Sequence, residues 1–404
     1  MTTIAQRDLR GLFITHEGFG NSIFRTQVIE HCRSMAKDGV SFDVLTYETF
    51  PKHWPISVSN LRAFEQSGAA LAITLRRAAF IYLPFSTLFN MVLLWAHIAK
   101  MRRAGRYHFL HARSDYTAFM CVLLKPLHKL PVVWDCRGDS SDELEFSLSN
   151  KGPATRLLLG SLLKLRQRIT LATLRKFATG AVFVSEALRS LHLHAGAQMA
   201  DVVIPCPVPE AFFTFDAGLR RDTRLNLAIP DDATVFLYSG STTGYQGLAD
   251  QVELYRELLQ DKSNFVLIAT TEIDSARAIF STLQSDRLII RGFNYLEMNG
   301  VYNASDFAFM LRAPRMLNYV SSPTKFGEYC LTGLPVIHNN TIDQVSRVAK
   351  SLGLSRALSD IGQLVKLDSD GRSQAALQAH AFYSRRVANQ LYLELYGKIV
   401  NEQV

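Results

Sequence analysis

Residues 312–337 read RAPRMLNYVSSPTKFGEYCLTGLPVI. A polar loop leads into Ser321, Ser322 and Pro323. Ser322 is a helix-capping residue type, and Pro323 suits a first helical position. The helix runs on through Phe326, Glu328 and Tyr329 and stops near Gly333, and Pro335-Val336-Ile337 opens a strand. Amides at a helix start, with Lys325 in the first turn, favour an anion. Glu328 stands three residues beyond Lys325, so both fall on one side of the helix. A carboxylate placed there is able to accept two hydrogen bonds from a ribose diol. A phosphate at the helix start and a ribose one turn on describe one end of a nucleotide. By spacing alone, an ordinary capped helix with a surface Lys–Glu pair accounts for the same residues.

Outward from this segment the chain alternates short β-rich runs with helical patterns. On its N-terminal side lie strand candidates Val235–Tyr238, Phe265–Ile268, Leu288–Ile290 and Phe307–Met310. An earlier array holds Leu12–Thr15, Phe42–Leu45, Phe109–His111, Val132–Trp134 and Ala181–Val184. Between Leu12–Thr15 and Phe42–Leu45 come a glycine-bearing turn, residues 16–22, and a helix. The helix carries Phe24, Val28, Cys32 and Met35 on one face and ends at Gly39. Strands alternating with helices predict an α/β chain with parallel sheets covered on both faces. The first array stops at Val202-Val203-Ile204, where the proline-rich run Pro205–Pro209 marks a domain boundary. The tail from Gln374 to Val400 has helical spacing and no strand.

With 404 residues, 48% hydrophobic and 20% charged, the chain is long enough for two or three globular domains, and disorder is excluded. Five scattered cysteines without a CxxC pair argue against a disulfide scaffold or a structural zinc, and fit a reducing cytosol. The start of the chain lacks the apolar core of a signal peptide. Residues 1–200 hold 25 Lys and Arg against 14 Asp and Glu, whereas residues 201–404 hold 19 against 22. The basic half could meet nucleic acid, anionic lipid or a phosphorylated substrate, or be a solvated surface. Its basic runs are leucine-rich and lack interleaved aromatics, which argues against nucleic acid.

PTKFGEYCLTGLPVI resembles the nucleotide-sugar segment of GT-B glycosyltransferases, most like family 4 and its bacterial surface-polysaccharide relatives. Further stretches follow in the family's order: Gly18-Phe19-Gly20-Asn21-Ser22, Leu110-His111-Ala112-Arg113-Ser114, Val133-Trp134-Asp135-Cys136-Arg137-Gly138, Val184–Leu188, Ile204–Val208, Tyr238-Ser239-Gly240-Ser241 and Asn303–Phe307. The resemblance implies two Rossmann-like domains facing across a cleft. Residues 1–207 would bind the acceptor and 208–375 the nucleotide-sugar, with 376–404 a helix packing back on the first domain. It implies Glu328 on the donor ribose, Ser322, Thr324 and Lys325 near the diphosphate, Gly240 and Ser241 in a second phosphate-facing loop, and Arg291 and Gly292 beside the base. The acceptor side would use Gly18, Gly20, Asn21 and Arg113. The donor would be a UDP- or GDP-sugar, the acceptor lipid-linked or a polysaccharide, and the outcome retention of configuration, with no resident cofactor.

The sequence departs from that family at three places. Seven residues separate two glutamates in the family, but here Val320 holds the first position. No Arg or Lys occurs in Ser239–Gly247, and Arg113 stands where a second histidine is usual. Lys325, Arg291 or Arg312 would supply charge to the leaving diphosphate. Asp135, His111 and Arg137 follow strand ends, where α/β sheets place functional groups. They are the candidate catalytic set, with Asp135 orienting or deprotonating the acceptor hydroxyl and Arg137 neutralising a phosphate. A core histidine with a backbone partner is the plainer reading of His111, and a solvated loop that of Asp139, Asp142, Glu143 and Glu145. No histidine cluster calls for a metal.

Two stretches bear on membranes. Residues 78–99, AAFIYLPFSTLFNMVLLWAHIA, are apolar and flanked by Arg76, Arg77 and Lys100, but Pro84, Ser86, Asn90 and His97 argue against a spanning helix. A buried helix, or an interfacial one anchored by Trp95, remains. Residues 151–176 carry seven basic and no acidic residues, with Leu158, Leu162, Leu165, Ile169 and Ala172 at helical spacing. They make a basic amphipathic helix for anionic lipid, or a surface helix packing its leucines on the sheet. The expected location is cytoplasmic, peripheral on the inner membrane face if lipid is met. Two other classes stay open: a catalytically silent relative that binds nucleotide-sugar or scaffolds other glycosyltransferases, and a nicotinamide enzyme using Gly18, Gly20 and Asp43. The latter lacks its third glycine.

Overall fold

The computed structural model describes residues 9–20, 24–79, 85–102, 107–149, 152–194, 198–242 and 247–401. Two parallel sheets organise them, in two compact units: Met1–Ile204 with Ala388–Val404, and Pro205–Val387. The first sheet holds β1 (Leu9–Thr15), β2 (Val40–Glu48), β3 (Ala72–Arg77), β4 (Phe109–Arg113), β5 (Val132–Cys136), β6 (Gly180–Phe183) and β7 (Ala200–Val203), in the order β3-β2-β1-β4-β5-β6-β7. The order reverses between β1 and β4, so a crevice opens where these two strands end. β4, β5 and β6 are buried throughout, and β4 and β5 carry His111, Arg113 and Asp135 into the interior with their apolar residues.

The chain leaving β1 turns at Gly18, whose φ is +69°, and enters a π-helical turn, Phe24–Ile29, that continues as helix Glu30–Lys37. Phe24, Val28, Cys32 and Met35 are all buried, and Gly39 ends the helix at φ +85°. The final helix, Arg385–Asn401, buries Tyr392, Leu395, Tyr396 and Ile399 in the core of the first unit. Leu395 and Ile399 pack at Gly180, where no Cβ would fit without a shift.

The second sheet holds β8 (Thr234–Ser239), β9 (Asn264–Ala269), β10 (Leu288–Arg291), β11 (Phe307–Met310), β12 (Val336–His338) and β13 (Ser355–Ala357), in the order β10-β9-β8-β11-β12-β13. Its switch point lies between β8 and β11. Below it, the buried Arg224 guanidinium is satisfied by the carbonyls of Ala304, Pro230, Asp231 and Ala233 and by Asp306 at 2.8 Å.

Both candidate membrane stretches contain a helix that buries one face and leaves an apolar stripe exposed on another. Helix Ser86–Arg102 buries Ser86, Asn90, Leu94 and Ile98 on its inner face. It exposes Leu88 (66%), Phe89 (56%), Val92 (57%) and Trp95 (46%), while its buried face includes Asn90. Asn90 is satisfied there by the Ala79 backbone at 2.8 and 2.9 Å and the Tyr116 hydroxyl at 3.0 Å. Helix Pro153–Phe177 packs Leu163, Leu171 and Leu174 inward and leaves Leu162, Leu165 and Ile169 exposed. The stripe expected to pack on the sheet is therefore its outer face, because the helix carries a second, inward one. Among the described residues no helix is long and apolar enough to cross a membrane.

Candidate functional site

In the second unit the helix of the decisive segment runs Thr324–Leu331. Its cap is Pro323, not Ser322, with no side chain closing it. The Ser322 hydroxyl oxygen instead accepts the Cys206 amide at 3.1 Å, tying the proline-rich run to the head of this helix. Thr324 is the first helical residue, and Lys325 is half-buried in the first turn. Glu328 is buried, and its Oε2 accepts the hydroxyl of the fully buried Tyr302 at 2.5 Å. Burial raises its pKa, against the charge of Lys325 and the Tyr302 hydrogen bond. Oε1 has no hydrogen-bond partner among the described residues. One oxygen is thus held by the protein while the other is left to accept.

The loop after β8 is already occupied. The Gly240 amide belongs to the sheet, donating to Ala269 O at 3.2 Å. The Ser241 hydroxyl and the Thr242 amide both donate to the Glu272 carboxylate at 2.8 Å, and the Thr242 hydroxyl joins them. These bonds hold the Glu272 carboxyl below its ordinary pKa. Its three donors are of the kind a phosphate would need. Residues 243–246 lie outside the described residues. Arg291 ends the edge strand β10, exposed, with its guanidinium 5.1 Å from the Phe293 ring, and Gly292 packs on Ile273. β9 separates them from β8, away from Glu328 in the sheet order.

In the first unit, Asp135 and His111 come together but wholly below the surface. His111 Nε2 is 3.3 Å from Asp135 Oδ2, and its Nδ1 is 2.9 Å from the Tyr396 hydroxyl. Neither residue is exposed. Burial alone would raise the Asp135 carboxyl, but Arg137, His111 and Arg113 outweigh it and hold it far below the carboxylate range. Arg137 Nε stands 2.9 Å from Oδ1. Burial keeps His111 neutral by lowering its pKa. An ion this well neutralised is a weak base, so in this geometry Asp135 anchors the two arginines instead of meeting an acceptor. Arg113, also buried, is bonded to Glu17 at 2.8 Å.

The glycine turn also spends its amides internally. Gly18 N donates to Tyr47 O and Phe19 N to Ser57 Oγ, and Glu48 packs so close to Gly18 that any Cβ would collide. Gly20 lies against Ile56 and Ser57. Asn21 is outside the described residues. Asp43, the acid of the nicotinamide reading, is held in mid-strand by Arg10 at 2.9 Å and Tyr107 at 2.7 Å. The expected solvated acidic loop is instead the head of helix Ser140–Ser149. Asp139 is buried there, and Glu143 is pushed up to about 7 by burial first and then by Asp115, Asp139 and Asp142. Among the described residues no cluster of His, Cys, Asp and Glu could hold a metal.

Tyr302, Glu272, Glu17 and Tyr396 were not singled out by sequence. Tyr302 directly precedes the Asn303–Phe307 stretch, which is the one available signal. The others are brought in by chain crossings that carry no local pattern.

Residues 25–207 match the family described as "Glycosyl transferase 4-like domain". A search among curated proteins finds no match. Among solved structures, HepE of Anabaena in complex with UDP superposes with a TM-score of 0.70 at 13% identity, over 96% of this chain and 100% of that one. Sucrose-phosphate synthase from Thermosynechococcus elongatus gives 0.67 at 14%, over 98% and 100%. WaaG, a glycosyltransferase involved in lipopolysaccharide biosynthesis, gives 0.60 at 12%, over 96% and 99%. At these identities the likeness is one of fold: the chain shares the two-sheet GT-B architecture of these structures, and a glycosyl transferase 4-like domain matches over its first array.

Proposed function

We propose that this enzyme moves a sugar from a UDP- or GDP-sugar to a lipid-linked or polysaccharide acceptor at the cytoplasmic membrane face, with retention of configuration, in building a cell-surface polysaccharide. The observation that carries the donor half is Glu328: buried, anchored through Oε2 by Tyr302, with Oε1 left to accept from a ribose diol. Lys325 and the first-turn amides behind Ser322 and Thr324 would take the diphosphate. Transfer breaks the bond between the anomeric carbon and the diphosphate oxygen, forms one to the acceptor oxygen, and releases the hydroxyl proton. The leaving group gains negative charge, so preorganised cations and amides lower the barrier. The neighbour HepE has been solved with UDP and with UDP-glucose, which favours the uridine series. The reading needs no resident cofactor.

The membrane half draws on the two exposed apolar stripes. Both helices flank Tyr116, which bonds Asn90 and lies 5.7 Å from the Arg166 guanidinium. Lys164, Arg168, Arg175 and Lys176 lie exposed on the second helix, as an anionic lipid surface would require.

Thermal stabilisation by UDP, GDP, ADP, CMP and NAD tests the donor. A ligand at 100 times its Kd adds about 2.7 kcal/mol. One nucleoside diphosphate should raise the Tm of the wild type and leave Glu328→Ala unmoved. No shift with any diphosphate would instead favour a catalytically silent scaffold, and a shift with NAD alone would refute the donor assignment.

A further inference from the structure

Ser114 connects β4 to helix Asp115–Leu123 with φ +81° and ψ 158°, a region that glycine alone populates comfortably. Such a conformation persists only where the surroundings dictate it. Here the Ser114 amide is bonded to Asp135 O at 2.9 Å, and its carbonyl accepts the first helical bond, from Ala118 at 3.0 Å. A glycine would meet both demands without strain, yet the residue is a serine, so its hydroxyl is the feature to explain. That hydroxyl lies 3.1 Å from Nδ1 of His16, the residue that follows β1. Thr117, one turn into the helix, places its own hydroxyl 3.1 Å from the same nitrogen. Tyr116 stands edge-on to the ring, with centroids 6.1 Å apart. The group therefore sits at the ends of β1 and β4, the switch point of the first sheet, where open α/β sheets bind ligands.

His16 Nε2 has no hydrogen-bond partner among the described residues. Two hydroxyls fixing one ring nitrogen determine how the other is presented. Burial lowers the His16 pKa, with Glu17 opposing and Arg113 adding, so the ring is neutral at pH 7. With Nδ1–H donated to either hydroxyl, Nε2 offers a lone pair to an incoming O–H. We infer that His16 Nε2 receives the acceptor's nucleophilic hydroxyl, and that Ser114 and Thr117 are positioning residues for it. The inference rests on the transferase reading above and adds a group to its acceptor side.

The full-length protein and its Ser114→Gly and His16→Gln variants test it. The assay is nucleoside diphosphate release from UDP-glucose, with water and with n-octyl β-D-glucoside as acceptors. Nucleotide-induced Tm shifts serve as the control on the donor site. Ser114→Gly relieves the strain and should melt higher than wild type, yet release diphosphate at least tenfold more slowly. His16→Gln should lose as much turnover, and both should keep the wild-type shift with nucleotide. A Ser114→Gly protein that gains stability and turns over at the wild-type rate would overturn the inference. So would wild-type rates in His16→Gln. A wild type that no nucleoside diphosphate stabilises would fail the donor reading instead, and this inference with it.

Discussion

Tyr302 and Glu328 meet at 2.5 Å in the interior of the second unit, the phenol donating to a carboxylate that burial would otherwise push toward its neutral form. Hydrogen bonds to charged groups are worth about 1.5–3 kcal/mol. Tyr302→Phe should therefore weaken nucleoside diphosphate binding about tenfold, measured by calorimetric titration at pH 7. The same bond lowers the Glu328 pKa, so its loss raises that pKa further. Affinity in the variant should begin to fall at a higher pH on the acid side than in wild type. Identical pH profiles would separate Glu328 from the binding site.

Asp135 is the counterion of a buried network, and removing it leaves Arg137 and the buried Arg113 with too little negative charge. Breaking a buried ion pair from one side costs about 3–5 kcal/mol. Asp135→Asn should lower the urea midpoint accordingly. The sign of its pH dependence follows from the depressed pKa. The stabilisation is complete above the unfolded carboxyl pKa of about 3.9 and lost below it, so the deficit of the variant should be flat from pH 5 to 8. A loss of activity with an unchanged midpoint would restore Asp135 to direct chemistry.

His192 should contribute to the acid limb of the stability curve, beside the buried His111 and His16. It is buried against Trp134 and receives Arg175 Nη2 on Nδ1 at 3.2 Å. Burial, then the Arg175 charge, lowers its pKa to about 4. Below pH 6.5 the unfolded chain takes up a proton that the native state refuses until about pH 4. Folding stability must then fall across that window, by up to about 3 kcal/mol. His192→Asn should lessen the slope of the unfolding free energy against pH between 6.5 and 4. An unchanged slope would assign the acid limb to other groups.

Glu272 occupies donors that a diphosphate would use if it reached the loop after β8. Glu272→Ala frees the Ser241 hydroxyl and the Thr242 amide and removes a negative charge beside them. The expected result is a severalfold tighter Kd for nucleoside diphosphate, steepest at low salt. A weaker Kd would mean that Glu272 shapes the loop for binding, and an unchanged one that this loop does not meet the phosphates.

The doubly wound architecture was legible because its evidence is local. Phe24, Val28, Cys32 and Met35 state a helix face, and runs such as Val235–Tyr238 state a strand buried on both sides. β3 escaped notice because this edge strand is short, no residue of it is fully buried, and its few apolar positions run straight into Arg76 and Arg77. The lysine and glutamate of the donor segment could be paired from their spacing. The tyrosine that fixes Glu328 could not, since Tyr302 arrives from another helix. Ser322 satisfied every local rule for a cap, yet its oxygen is taken by the Cys206 amide, a contact 116 residues away in sequence. Tertiary partners overrode local preference there. His111 was readable as a candidate of two kinds, and only the Tyr396 contact tells which side its ring faces.

The outward apolar stripe of helix Ser86–Arg102 gives the membrane proposal its sharpest test. Leu88, Phe89, Val92 and Trp95 repeat at helical spacing on the face that a water-soluble helix makes polar. Because these side chains are already exposed, replacing them removes little native packing. A Leu88→Ser, Phe89→Ser, Trp95→Ser protein should unfold within about 0.5 kcal/mol of wild type. Each side chain entering the acyl boundary would contribute about 1.5–3 kcal/mol. Flotation with phosphatidylglycerol-containing vesicles should therefore be abolished in the triple variant and strong in wild type. Charge reversal of Lys164 and Arg168 should weaken it chiefly at low salt, since exposed charges are screened within about 10 Å at 0.1 M. Equal flotation of wild type and triple variant would show that this face does not enter lipid.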